Sequence, residues 1–93
     1  MLFRSLLALA PSPVVALNRA VAVAEVEGPE PALALVDGLD LDGYRLFHAI
    51  RADLLRRLGR RNEAAQAYQA AIARTRNAAE RAFLDRRRRD LSD

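Results

Sequence analysis

The chain has 93 residues, 52 % hydrophobic but only 5 % aromatic, with 15 arginines, no lysine, 12 acidic residues and a formal net charge of +3. A chain this short is one domain or part of one, burying only about 60–65 % of the surface it exposes when unfolded. Its core must come from Ala, Leu and Val, which favours closely packed helices over a sheet sandwich, and the absence of cysteine excludes a disulfide framework, a thiolate metal site and a cysteine nucleophile.

The first predicted element spans residues 2–10, where Leu2, Phe3, Leu6, Leu7, Leu9 and Ala10 recur at helical spacing before Pro11 stops the helix. Its opening superficially resembles a signal peptide, but it lacks a basic leader. No later segment reaches the roughly 18 apolar residues needed to span a bilayer. The expectation is a soluble, cytoplasmic protein with no membrane partner. An abrupt start on an apolar helix predicts that Met1 lies inside a larger helical array, as part of a C-terminal fragment, and an exposed first helix would favour a homo-oligomer.

Ser12-Pro13 is a helix-start signal, since the hydroxyl can accept from an orphan amide and the fixed φ of proline suits a first turn. The helix it opens should run to about Glu27. Val14, Val15, Leu17, Val21, Val23 and Val26, with alanines between them, make it apolar nearly all round, which predicts a place in the middle of a stack. Gly28 can close it and Pro29 can start the next, which runs to Gly38. The connection Gly38–Gly43 offers Asp40 or Asp42 as an N-cap.

From Tyr44 to Leu58, Leu46 or Phe47, Ile50, Leu54, Leu55 and Leu58 form an apolar stripe that ends at Gly59. A partner helix from about Arg61 to Thr75 turns Ala64, Ala65, Tyr68, Ala71 and Ile72 inward. Asn77 and Glu80 have the spacing of a capping box, so a last helix should begin there and bury Phe83, Leu84 and Leu91. Gly28 and Gly59 are 31 residues apart, close to the roughly 34-residue period of helix-hairpin repeats. The predicted fold is all-α: antiparallel helical hairpins, about five helices over a single domain 1–93, stacked as a right-handed array.

Within Gly59–Ile72 the glycine turn, Ala64, Tyr68 and Ala71 resemble the second half of a tetratricopeptide repeat, and Ala52 matches the small residue of its first helix. The usual closing proline is replaced by Arg76-Asn77. A second resemblance covers nearly the whole chain. The run Leu7–Val26 (LALAPSPVVALNRAVAVAEV), then Gly28-Pro29, Arg51–Arg60 (RADLLRRLGR) and Asn77–Leu84 (NAAERAFL) look like the C-terminal extension of a group of bacterial extracytoplasmic-function RNA polymerase sigma factors. That resemblance implies a tetratricopeptide-like domain appended to promoter-binding regions that these residues do not include. It implies RNA polymerase, the remaining sigma-factor regions or a regulatory protein as partners, in the control of transcription initiation.

The family-like runs make Asn18, Arg19, Arg51, Arg56 and Arg60 the candidate partner-binding residues. An Asn or Arg inside an apolar helix must find hydrogen bonds, so an internal bond to a neighbouring loop is the default for Asn18 and Arg19. Arg86, Arg87, Arg88 and Arg89, with Arg56-Arg57 and Arg60-Arg61, are the case for an alternative, non-specific nucleic-acid contact. Interleaved Asp53, Glu63, Asp85 and Asp90 point instead to solvated faces with local ion pairs. His48 is the only histidine and has no acid three or four residues away, which gives it a structural role. No constellation supports catalysis, a metal or a cofactor, so the expectation is a non-catalytic protein.

Overall fold

A computed structural model describes residues 13–91, which hold five α-helices and no strand. The helices are α1 (Pro13–Glu27), α2 (Pro29–Asp37), α3 (Arg45–Arg57), α4 (Arg61–Arg74) and α5 (Ala78–Asp90). Each lies within two residues of its predicted bounds. The predicted helix at 2–10 and the Ser12 cap fall outside the described residues. None of the described helices is long and apolar enough to cross a membrane.

Glycine makes both tight reversals. Gly28 (φ +99°) is the one residue between α1 and α2, and its amide donates to the Ala24 carbonyl. Gly59 (φ +77°) closes α3: its amide donates to the Arg56 carbonyl at 3.0 Å, while that of Arg60 donates to Leu55 at 3.0 Å. This is the Schellman arrangement, in which a left-handed residue satisfies carbonyls the helix leaves open. Joints this short fold α2 back on α1 and α4 back on α3, so both are hairpins. The α3–α4 pair has the most extensive contact, α2 packs on α3, α5 packs on α4, and α1 also touches α3.

One core joins them. Leu17, Ala20 and Ala24 of α1 meet Ala32, Leu33 and Val36 of α2, Phe47, Ala52, Leu54 and Leu55 of α3, and Ala64, Ala67, Tyr68 and Ala71 of α4. Nearly half of this core is alanine, whose small side chain lets helix axes approach closely. Leu84 is the buried residue of α5.

Four expectations change. Phe83 is 52 % exposed instead of buried, because Leu84 next to it already faces the core and adjacent helical residues point about 100° apart. Leu46 is exposed and Phe47 buried, which settles the open choice in α3. The N-cap position of α3 is Tyr44, with no side-chain cap. Asp40 and Asp42 lie too far upstream to cap a helix that begins at Arg45. Finally, α1 is not covered all round by the described residues, since Val15, Val21 and Val26 are exposed.

Candidate interaction surface

Between α1 and α3 lies an open cleft of about 160 Å³. Its floor is Val21 and Ala24 from α1 with Ala49, Ile50 and Leu54 from α3; Glu25, Asp53 and Arg57 form the rim. The two helices meet through small side chains, and a gap opens where Val21 and Ile50 diverge. Asp53 is occupied by arginines of its own helix: its Oδ1 accepts from Arg56 Nη2 at 2.6 Å and its Oδ2 faces Arg57 Nε at 3.0 Å. Glu25 is exposed and has no ion pair among the described residues. The cleft is therefore an apolar slot with one uncompensated negative charge beside it.

The predicted partner-binding residues do not form one patch. Asn18 and Arg19 are exposed on α1 and make no hydrogen bond with any described residue, contrary to the internal bond expected of them. Arg51 donates from Nε to Asp37 Oδ1 at 2.8 Å and ties α3 to the end of α2. Arg60 makes a two-pronged bond with Glu63, both contacts at 2.8 Å, across the first turn of α4.

Arg56 is partly buried. Its bond to Asp53 raises its pKa further above the ordinary arginine value, against the opposing effect of burial. Its Nε is shut off from solvent without a hydrogen-bond partner. The guanidinium adjoins Tyr68, whose phenol pKa is pushed up by burial and partly pulled back by Arg56. These contacts brace the α3–α4 pair.

The four consecutive arginines of α5 also separate. Arg88 and Arg89 share Asp85, at 2.7 and 3.2 Å, and the bond from Arg88 holds the Asp85 carboxyl below its ordinary pKa. Arg87 sits over the Phe83 ring, 5.3 Å from its centre, a cation–π contact on an exposed aromatic. Arg86 is exposed and has no ion pair among the described residues. Successive steps of about 100° prevent all four from facing one phosphate strand.

A hub forms where sequence offers no signal. The Asp42 carbonyl accepts from His48 Nε2 at 2.7 Å and from Arg74 Nε at 2.8 Å. A carbonyl only accepts, so Nε2 carries the proton. His48 is 7 % exposed and stacks edge-on to Phe47, a structural placement. Among the described residues no group of three or more His, Asp or Glu side chains is placed to hold a metal ion.

Charge is segregated along the array. Residues 13–43 have six acidic residues and one arginine, whereas residues 44–93 have thirteen arginines and six acidic residues. The cleft lies between the two, with its α1 wall on the acidic part and its α3 wall on the basic part; Phe83 and its arginines lie on the basic part. Sequence reading singled out neither Val21, Glu25 and Ile50 nor the exposed Phe83 as surface residues. The available signal was the excess of apolar positions on α1 over what one buried face needs.

A protein of Rhizobium meliloti (strain 1021), named only as uncharacterized, is 51 % identical to this chain over 86 residues. The similarity covers 90 % of the chain but 20 % of that relative, so the chain spans about one fifth of the relative's length. No established family profile matches the chain, and no solved structure gives a significant match.

Proposed function

We propose that this chain is a non-catalytic protein-interaction and regulatory domain, the tetratricopeptide-like C-terminal extension of an extracytoplasmic-function sigma factor. In this reading the domain acts in the cytoplasm and modulates transcription initiation by contacting RNA polymerase, the promoter-binding regions of its own protein or a regulatory protein. The observation that carries it is the open apolar cleft between the first helices of two successive glycine-closed hairpins. Repeat arrays of this kind bind partners on the surface lined by equivalent helices. The family-like runs described above supply the sigma-factor assignment, and similarity to a fifth of a longer protein suits an appended domain.

The test is a pull-down of polymerase and of the sigma-factor regions with this domain, together with transcription by the longer protein with and without it. The expected result is a reproducible contact and altered transcription on deletion. No contact and unchanged transcription overturn the reading.

A second reading, non-specific nucleic-acid binding, rests on Arg61, Arg76 and Arg86, which have no acidic partner among the described residues. Titration with duplex DNA at two salt concentrations decides it, because phosphate binding must weaken steeply with salt.

A further inference from the structure

We propose that this chain binds a second copy of itself head to tail, the Phe83 face of α5 of one copy seating in the α1–α3 cleft of the next. Three observations carry it. The first is size: the cleft holds about 160 Å³, and an apolar cavity of about 150 Å³ accommodates a benzene ring, so a phenyl side chain fits. Phe83 is the aromatic that α5 leaves outside the core, 52 % exposed.

The second is charge. Among the described residues Glu25, at the rim of the cleft, and Arg86 have no ion pair, and Arg87 lies over the very ring that would enter. Arg57, the cation on the rim, is held by Asp53, which it shares with Arg56. Glu25 stands on the α1 wall of the cleft and Phe83 lies beside Arg86 and Arg87, so the attraction of these charges favours one orientation.

The third is register. Val21 and Glu25 are four residues apart on α1, and Phe83 and Arg87 are four residues apart on α5. Residues at that spacing lie one turn apart on the same helical face. Setting Phe83 against Val21 and Ile50 therefore carries Arg87 to Glu25. The two surfaces are different, so the contact is heterologous and each bound copy leaves one free cleft and one free Phe83.

The experiment is light scattering and sedimentation of the full chain over a range of concentrations, at low and high salt. Mass should rise with concentration and fall with salt. Phe83→Glu and Glu25→Arg change exposed residues only, and circular dichroism verifies that each variant keeps its helices. Each alone should stay monomeric, whereas an equimolar mixture should give a 1:1 complex and nothing larger, through the intact cleft of one and the intact Phe83 of the other. Phe83→Ala should weaken association about tenfold or more. A wild-type chain that stays monomeric overturns the proposal, whether residues 1–12 or another protein fills the cleft. Association that ignores both substitutions, or a mixture that fails to pair, overturns it equally.

Discussion

The first hairpin, α1–α2, and the second, α3–α4, share a glycine-closed plan but are held by different means. The first buries only aliphatic side chains, Leu17, Leu33, Val36 and alanines, and no side-chain hydrogen bond joins its two helices among the described residues. The second buries Phe47, His48 and Tyr68 and carries ion pairs local to each helix, Arg56–Asp53 and Arg57–Asp53 on α3 and Arg60–Glu63 on α4. The first also leaves Val15, Val21, Val26 and Leu35 exposed. The larger buried side chains lie in the second hairpin and more of the exposed aliphatic surface in the first.

The largest test of that contrast is truncation of each core. Tyr68→Ala should cost about 3–5 kcal/mol, whereas Leu17→Ala should cost about 2–3 kcal/mol, because the open side of α1 lets the site relax. Urea denaturation measures both, and equal losses would erase the distinction. The turns come next. Gly59→Ala and Gly28→Ala should each cost about 1–2 kcal/mol through the left-handed backbone alone, since an added Cβ at either meets nothing within 4 Å. Thermal melts that separate the two would locate a difference in the reversals, not the cores.

Smaller still is the cap of α5. The Asn77 side chain accepts from the Glu80 amide at 2.9 Å, and Asn77→Ala should cost about 1 kcal/mol. Hydrogen exchange at the Glu80 amide should quicken while the α1 amides stay unchanged. The smallest effect is a pH dependence confined to the second hairpin. Burial raises the folded-state pKa of Tyr68 above the ordinary value of 10.0, so the unfolded chain ionises first. The stabilisation is complete below pH 10.0 and is lost as pH rises through the higher folded value. Alkaline melts of wild type should show this loss, and Tyr68→Phe should remove it.

Helix number and bounds were legible because Gly28, Gly59 and the prolines punctuate strongly and the α3 stripe is regular. What stayed hidden has several causes, the first being competition from a residue far away in the chain. Asn77 caps α5 as expected, but Glu80 does not complete the box, because Arg45, 35 residues earlier, donates from Nε to its carboxylate at 2.7 Å. A charged partner outbids a neutral backbone amide for the same oxygens. The Asp42 hub escaped notice because a backbone carbonyl has no letter in a sequence. The exposure of Asn18 and Arg19 is not legible because α1 has apolar residues on every side, so its pattern does not say which side is open.

The doubly bonded Asp42 carbonyl has a consequence for how this chain would be cut. By composition Gly38–Gly43 is where a protease should nick first, being short, rich in glycine and aspartate, and placed between two hairpins. Cleavage requires a strand to be drawn out extended, and here His48 and Arg74 hold the peptide from two different helices. The segment that reads as a linker behaves instead as a seam, and limited digestion should leave it intact after the chain has been trimmed elsewhere.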